Sequence, residues 1–477
     1  MTRPTVVIVG GGITGLSAAW ALAKPVDGPR VVVLEASDRL GGKLRTSTFA
    51  GLAVDEGADA FLARVPEATA LCRELGLGDE LVAPATARAY LWWDHELHQL
   101  PPGLVLGVPA DLTHLARSRL LSPRGKARAA LEPLLPGLGA AIATDNLGTL
   151  IRRRFGDEVL ERLVDPLVGG INAGDADHLS AAAAAPQVAA VAGRARSLLI
   201  GLRRQAAATA RRTAADGGTA APIFLAPRGG MTSVVARLTG ALGALGVDLR
   251  TGTAVDRIAA IGDQGRWRVA DVDADAVIVA TPAFVAANQL VAIAPTAAAM
   301  IGTIEHATVA VVTLAFAERD VGRRLDGSGY LVPKPQQRAL TACSWSSSKW
   351  AHANIPGQVV LRASLGRYGN EGGARGTDDE LVERALTELR EPMRLTGRPT
   401  EARVTRWERG FPQHQPGHLD LVARIDDRLG REAPGVVVAG AAYRGVGIPA
   451  CIRQGTAAAE AVIGRLHGRS WPQSDRG

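Results

Sequence analysis

The chain has 477 residues and a mass of 49.6 kDa, which is enough material for two to four domains. Hydrophobic residues make up 47% and charged residues 21%, which excludes a disordered, collagenous or coiled-coil chain. The formal net charge is +7, but the basic residues are mostly scattered arginines, apart from a run between Arg194 and Arg212. We therefore predict no nucleic-acid partner and a modest positive field that attracts an anionic small molecule.

Three cysteines, Cys72, Cys343 and Cys451, lie far apart and show no CxxC spacing. This pattern predicts neither a disulfide framework nor a metal site, and it is typical of a cytoplasmic protein. The N-terminal residues read as a strand rather than a signal peptide. The charge-free stretch 276–304 is interrupted by prolines and amide side chains, so we predict no transmembrane segment.

The first motif is a glycine-rich turn between a strand and a helix. Residues 6–9 form a short β-branched run typical of a buried parallel strand, and a helical pattern follows the turn. The turn supplies the spacing GxGxxG and consists of Gly10, Gly11, Gly12, Ile13, Thr14 and Gly15. These glycines allow a tight turn, a close approach to a pyrophosphate and close helix–strand packing. A glycine turn without a ligand is the alternative interpretation of this motif alone.

An acidic residue follows at the distance that dinucleotide binding requires. A second buried strand, residues 31–34, ends at Glu35, which lies 20 residues after Gly15. An acid at this point accepts hydrogen bonds from ribose hydroxyls. Strand, glycine turn, helix, strand and acid occur in order, so we predict a dinucleotide site that includes Glu35 and Ala36.

The next residues resemble the glutathione-reductase-type flavoproteins, because Gly41, Gly42 and Lys43 complete an acid-x5-GG-[RK] pattern. That resemblance implies that these three residues wrap the FAD pyrophosphate and ribityl chain. It also implies that the later segment Gly57, Ala58, Asp59 and Ala60 lies near the flavin ring. An NAD dehydrogenase needs neither segment, so FAD is the predicted cofactor.

Later segments of the chain are predicted to return to the same nucleotide domain. Residues 247–250 and 253–258 read as two strands, and residues 276–279 as another. By the resemblance, Val255 contacts adenine, although an extra pair of core strands is the alternative. The strand at 436–438 precedes a second glycine-rich turn and helix, whose predicted cofactor contacts are Gly445, Val446, Gly447 and Ile448.

These elements predict an α/β fold with a discontinuous FAD-binding Rossmann domain, an α+β substrate domain and a helical subdomain. The FAD-binding domain comprises residues 1–90, 222–290 and 400–466. Residues 110–215 have helical spacing, and residues 291–399 contain alternating runs typical of an antiparallel sheet. We predict a loop at 205–221 and a frayed tail at 467–477.

Several segments together resemble the oxygen-dependent porphyrinogen oxidases of haem synthesis. The most particular are DPLVGGINAGDADHLS at 165–180 and AGAAYRGVGIPACIRQG at 439–455. The resemblance implies that Gly169, Gly170 and Ile171 line a substrate cavity, with a glycine-rich helix break as the alternative. It also implies that Trp407 lies beside the flavin, with core packing as the alternative.

The resemblance implies FAD-dependent oxidation of coproporphyrinogen III to coproporphyrin III, with O2 as acceptor and H2O2 as product. Arg45 and Arg64 are candidates for binding substrate carboxylates, because arginine pairs well with carboxylates. No catalytic base is identified.

Three other functions stay open. They are protoporphyrinogen IX oxidation, an amine oxidase or desaturase activity, and a non-catalytic FAD-binding role in the haem pathway. The scarcity of tyrosine and lysine counts against an amine oxidase. Peripheral membrane contact, partnership with other haem-pathway enzymes, and a monomeric or homodimeric state also stay open.

Overall fold

The computed structural model describes residues 3–137, 145–215, 222–262 and 265–468. Five parallel strands form one sheet, which we call the nucleotide sheet. In spatial order they are Asp248–Arg250, Arg30–Leu34, Thr5–Val9, Ala276–Val279 and Val436–Val438. Its three central strands are almost fully buried, as their β-branched composition predicts.

Helices cover both faces of the nucleotide sheet. One face packs against Ile13–Ala23, Pro66–Glu74, Thr232–Ala244 and Ile448–Leu466. The other packs against Ala283–Leu290, Pro295–Gly302, His418–Glu432, the turn Ala441–Arg444 and a three-stranded antiparallel sheet. The strands of that sheet are Ile258–Ile261, Arg266–Val269 and Val272–Ala274. The result is a doubly wound α/β unit, which confirms the predicted fold class.

A second sheet has seven strands, and we call it the large sheet. In spatial order they are Glu401–Pro412, His306–Ala317, Gln358–Leu365, Leu340–Trp345, Gly329–Leu331, Tyr90–Trp93 and Glu96–Gln99. All neighbours pair antiparallel except Gly329–Leu331 with Tyr90–Trp93. The helix Asp378–Met393 packs against one face of the large sheet. The short helix Ser346–Lys349 lies in the connection between the strands Leu340–Trp345 and Gln358–Leu365.

A group of helices around one apolar cluster forms the helical segment. Its α-helices are Leu112–Arg117, Pro123–Ala130, Leu147–Phe155, Asp157–Val159, Asp165–Asn172, Ala181–Ala184, Pro186–Ala192 and Leu198–Ala215. A π-helical turn, Leu160–Val164, joins two of them. Short strands complete the chain: Thr46–Phe49 with Leu52–Asp55; Leu104–Val105 with Val108–Pro109; and Phe224–Pro227 between Phe61–Leu62 and Leu81–Val82.

Three local predictions are wrong. Residues 401–412, assigned to the nucleotide domain, form an edge strand of the large sheet, because they pair with His306–Ala317. Residues 253–257 have no regular structure, and the predicted strand begins only at Ile258. Residues 205–215 belong to the helix Leu198–Ala215 rather than to a loop. Residues 216–221 of that loop and 469–477 of the tail lie outside the described residues.

The predicted three-part division of the chain otherwise stays a proposal, with the strand at 401–412 moved to the substrate side. Among the described residues, no helix combines the length and apolar character that crossing a bilayer requires.

A close contact between the first and the last helix of the nucleotide domain provides a test of packing. A Cβ on Gly455 would lie 2.3 Å from the Thr14 carbonyl oxygen, whereas a Cβ on Gly464 of the same helix would meet nothing within 4 Å. We expect Gly455→Ala to lower the free energy of unfolding by about 2 kcal/mol or more, because the helices must separate. Gly464→Ala should be neutral or stabilise by about 0.5 kcal/mol. Denaturant unfolding measures both, and equal effects would contradict this account.

Candidate active site

A cavity of about 2490 Å³ lies between the nucleotide sheet, the large sheet and the helical segment. It includes the carboxyl ends of parallel strands at Val9, Leu34 and Ala280, where open α/β sheets bind ligands. Pockets for one small ligand measure roughly 300–1,000 Å³. This cavity therefore has room for a dinucleotide and a second large ligand.

The first glycine turn brings the start of a helix to the cavity. A Cβ on Gly15 would lie 2.0 Å from the Gly10 carbonyl oxygen, so only glycine allows this helix to sit so close to its strand. Gly12 has open space beside it and lines the cavity together with Ile13 and Thr14. The N-cap residue makes no side-chain hydrogen bond, so the first amides of Ile13–Ala23 stay available to an anion.

Glu35 is held so that part of its carboxylate stays available. Its Oε1 accepts hydrogen bonds from the Ser37 amide (2.9 Å) and hydroxyl (2.7 Å), and its Oε2 accepts one from the Gly11 amide (2.7 Å). A carboxylate has about four acceptor positions, so one remains for a ribose hydroxyl. Glu35 and Ala36 both line the cavity.

The segment around Lys43 closes over the first turn. Gly41 has a φ of +105°, and a Cβ on Gly42 would lie 3.1 Å from the Gly12 Cα. The Lys43 ammonium donates to the Gly410 carbonyl oxygen and lies 5.9 Å from the Phe411 ring centre. Burial lowers the Lys43 pKa from its ordinary value. Gly41 and Gly42 thus pack directly against the first turn, where the Gly41 amide donates to the Gly11 carbonyl oxygen at 2.8 Å.

The second glycine turn reaches the same cavity from the C-terminal part of the chain. Val446, Gly447 and Ile448 line the cavity at the start of the helix Ile448–Leu466. Gly445 does not line it, but its φ of +114° supports the turn. The structure therefore brings two helix N-termini to one cavity.

A cluster of opposite charges, in which Arg362 is buried and Asp59 and Lys349 are half-buried, lies in the cavity wall on the large-sheet side. Asp59 Oδ2 lies 2.7 Å from Lys349 Nζ and 3.2 Å from Arg362 Nη1. Burial opposes ionisation of Asp59, but the charges of Lys349 and Arg362 outweigh it and lower the pKa to about 2. Arg362 also donates to the Gly57 carbonyl oxygen at 2.5 Å. The cluster fixes the 57–60 segment against the large sheet.

Trp407 lies beside that segment. Its Nε1 donates to the Glu56 carbonyl oxygen at 3.1 Å, and a Cβ on Gly57 would lie 3.3 Å from its ring. Trp407 is half-buried and lines the cavity. Its predicted position beside the flavin stays a prediction.

The 165–175 segment forms the wall contributed by the helical segment. Gly169, Gly170 and Ile171 line the cavity, and a Cβ on Gly169 would lie 2.9 Å from the Gly174 carbonyl oxygen. Asp165 anchors this segment by accepting from the Ala176 amide at 2.9 Å and by pairing with Arg367 at 3.5 Å. Burial raises the Asp165 pKa even though Arg367 opposes the effect.

The two arginine candidates have different surroundings. Arg64 is exposed at the cavity edge, and it forms no hydrogen bond or ion pair with any described residue. Arg45 pairs with Glu56 at 3.1 Å and does not line the cavity, so its assignment to the substrate cavity is wrong.

Most of the other predicted site residues meet at the cavity. Those that line it are Gly10, Gly12, Ile13, Thr14, Glu35, Ala36, Gly41, Gly42, Lys43, Gly57, Ala58, Asp59, Ala60, Arg64, Gly169, Gly170, Ile171, Val255, Trp407, Val446, Gly447 and Ile448. Gly11, Gly15 and Gly445 support the turns without lining the cavity. The individual roles of these residues stay predictions.

Sequence reasoning missed four cationic residues of the wall: Arg88, Lys349, Arg362 and Arg367. One signal was available, because Arg362 interrupts the apolar run at 359–363 and a buried arginine needs a partner. Among the residues that the structure describes, no cluster of His, Cys, Asp or Glu is arranged to hold a metal ion.

Comparison with known proteins identifies the family. The family described as flavin-containing amine oxidoreductase matches residues 13–463. The chain belongs to this family. FAD is therefore its cofactor, and the residues around both glycine turns fit that group, since they offer free helix amides, an acid with a remaining acceptor position and glycine-lined walls.

Individual relatives cover nearly the whole chain. The chain is 35% identical over 476 residues to coproporphyrinogen III oxidase of Bacillus subtilis (strain 168), covering 95% of this chain and 96% of the relative. It is 32% identical over 471 residues to the same-named enzyme of Staphylococcus aureus (strain NCTC 8325 / PS 47), covering 98% and 100%. A candidate protoporphyrinogen oxidase of Exiguobacterium sp. 255-15 has a similar structure, with a TM-score of 0.84, 31% identity and coverage of 97% and 99%. The resemblance to the porphyrinogen oxidases is confirmed, and the protein is an FAD-dependent oxidoreductase.

The charge cluster around Asp59 predicts a specific pH dependence of stability. Asp59→Asn should lower the free energy of unfolding at neutral pH by about 2 kcal/mol, because it leaves Lys349 and Arg362 without their carboxylate partner. The low Asp59 pKa means that its contribution is present above about pH 4 and is lost as the pH falls towards 2.

Denaturant unfolding between pH 7 and pH 2 should therefore show the two proteins converging below pH 4. Asp79→Asn is the matched control, since Asp79 is exposed and has no ion pair within the described part of the chain. A constant gap between wild type and Asp59→Asn down to pH 2 would contradict the assignment.

Proposed function

We propose that this protein oxidises coproporphyrinogen III to coproporphyrin III and reduces three O2 to three H2O2 in haem biosynthesis. Six hydrogens leave the macrocycle, as three hydrides and three protons, so the electrons balance. The observation that carries the proposal is one continuous cavity. The predicted dinucleotide-binding residues line one part of it, and residues of the large sheet and the helical segment line the rest. The names of the relatives at 32–35% identity support the same substrate.

The cavity walls suit a large, flat ring with acidic edges. Apolar side chains of Ile171, Val309, Val311, Leu331 and Phe411 contribute to the walls. They bury the ring and keep bulk water from it. When bound, FAD supplies the two-electron acceptor for each step and passes electrons to O2. The protein's own task is to orient the ring and its carboxylates.

Cations that already have partners are poor candidates for binding substrate carboxylates. Lys349 and Arg362 are paired with Asp59, and Arg367 is paired with Asp165. Arg88, which also lines the cavity, is paired with Asp326 at 3.2 Å. Arg64 has its guanidinium free of any described partner. We therefore propose that Arg64 binds one substrate propionate through paired N–H donors.

The cellular setting belongs to the same proposal. We propose that the enzyme acts in the cytoplasm, which is supported by three buried cysteines that form no disulfide. Protoporphyrinogen IX, with two carboxylates instead of four, is the substrate against which the proposal is tested.

The proposal predicts a substrate preference and an Arg64 effect. Porphyrin fluorescence in air, with FAD-loaded protein, should rise faster with coproporphyrinogen III than with protoporphyrinogen IX.

Arg64→Gln should raise the KM for coproporphyrinogen III about fivefold and leave kcat within about twofold, because a partly exposed arginine–carboxylate contact contributes about 1 kcal/mol to binding. Arg73→Gln is the control, because Arg73 is exposed and does not line the cavity. A preference for protoporphyrinogen IX would reject the proposed substrate.

A further inference from the structure

One stretch of the chain carries most of its excess positive charge. Residues 181–215 contain no Asp, Glu or Lys but six arginines: Arg194, Arg196, Arg203, Arg204, Arg211 and Arg212. The stretch therefore has a net charge of +6, whereas the whole chain has +7. Charge elsewhere in the chain nearly cancels, so the long-range positive field originates mainly here.

The last four arginines lie on the helix Leu198–Ala215, which we call the arginine helix. One face of this helix forms part of the cavity wall through Leu202, Gln205, Ala206, Thr209 and Ala210. Successive helical residues are rotated by about 100°, so Arg203 and Arg212 flank that face and Arg204 and Arg211 lie opposite. All four arginines are exposed.

The cavity is open to solvent at the arginine helix, because four of the helix residues that line it are themselves exposed: Gln205, Ala206, Thr209 and Ala210. Ile223 and Phe224, which also line the cavity, are 62% and 40% exposed, so this part of the wall faces solvent. Arg64 is attached to the same edge, because the Ala63 amide donates to the Ile223 carbonyl oxygen at 3.0 Å. Two solvent-exposed parts of the cavity wall therefore lie next to arginines that form no ion pair with a described residue, namely Arg64 and the arginine helix.

The charge on the arginine helix is not neutralised by salt bridges. Arg204, Arg211 and Arg212 form no ion pair with any described residue, and Arg203 has only a longer-range attraction to Asp111. Other exposed arginines of the chain, such as Arg398 and Arg431, are paired with carboxylates. Four like charges on three turns repel one another, and a polyanion that approaches the cavity relieves that repulsion.

We propose that the arginine helix is an electrostatic capture surface that draws a polycarboxylate tetrapyrrole towards the cavity. The inference rests on the proposed function and adds the route and the means by which the substrate arrives. The field extends about 8 Å at physiological ionic strength, enough to act on ligands that touch no arginine directly. Attraction grows with ligand charge, so a four-carboxylate ring is captured faster than a two-carboxylate ring.

The test measures association and dissociation separately. Stopped-flow fluorescence follows the binding of coproporphyrin III, the stable oxidised form of the ring, to the FAD-loaded protein. Changing Arg203, Arg204, Arg211 and Arg212 to Glu should lower the association rate constant about tenfold at low salt and leave the dissociation rate constant within about twofold. High salt should bring both proteins to the same association rate. Changing the four to Gln should give an intermediate rate.

The control tests whether the position of the charges matters or only the net charge of the protein. Arg424 and Arg428 are exposed on the helix His418–Glu432, which does not line the cavity. Arg424→Glu with Arg428→Glu should change the association rate far less than Arg203→Glu with Arg212→Glu, although the net charge changes equally. Flavin absorbance of each variant confirms that it is folded and loaded.

Three results would overturn the inference: an association rate insensitive to the arginine substitutions, an equal fall in the control pair, or a rise in dissociation alone. An unchanged association rate together with lost binding to phosphatidylglycerol vesicles would assign the helix to a lipid surface instead. Turnover of coproporphyrinogen III by the wild-type protein separates the two proposals. If turnover occurs while capture fails, only this inference is wrong, and if turnover is absent, both are wrong.

Discussion

The close approach of two helix N-termini to the ends of parallel strands is the constraint on which the site depends. Gly15 allows the first helix to sit against Gly10, and Gly455 allows the last helix to pack against Thr14. Because both contacts exclude a side chain, two regions separated by more than 400 residues present free amides to one cavity. These two helix N-termini would hold the anionic part of a bound cofactor, because their free N–H groups and helix dipoles favour negative charge.

Positively charged side chains in the interior of the cavity wall differ from those at its open edge in whether they have a carboxylate partner. Deep cations have carboxylate partners, as in the cluster of Asp59, Lys349 and Arg362, because an unpaired buried charge is very unfavourable. Cations at the open edge, Arg64 and the arginine helix, have no close partners among the described residues. The inner charges therefore stabilise the architecture, and the outer ones stay available to a polycarboxylate. This division explains how a basic protein acts on a small anion without being a nucleic-acid binder.

Local patterns predicted the nucleotide half well, because its signals lie within short stretches of sequence. The turn at Gly12, the acid at Glu35 and the run at 276–279 each carry a complete local signature. The Asp59 cluster was missed because Lys349 lies 290 residues from Asp59 in sequence, and spacing alone cannot reveal such a pair. The strand 401–412 was misplaced for the same reason, since only its distant partner strand defines its sheet. Residues 205–215 are rich in alanine, and its strong helix propensity outweighs the Thr residues that suggested a loop.

The central claim is that one cavity brings bound FAD and a porphyrinogen into reactive contact. The direct test is to mix the FAD-loaded protein with coproporphyrinogen III in the absence of O2. The absorbance band of the oxidised flavin is then followed over time. We predict that the flavin is reduced without O2, that porphyrin forms in proportion, and that air restores the oxidised spectrum. Flavin that stays oxidised in the presence of excess coproporphyrinogen III would contradict the account.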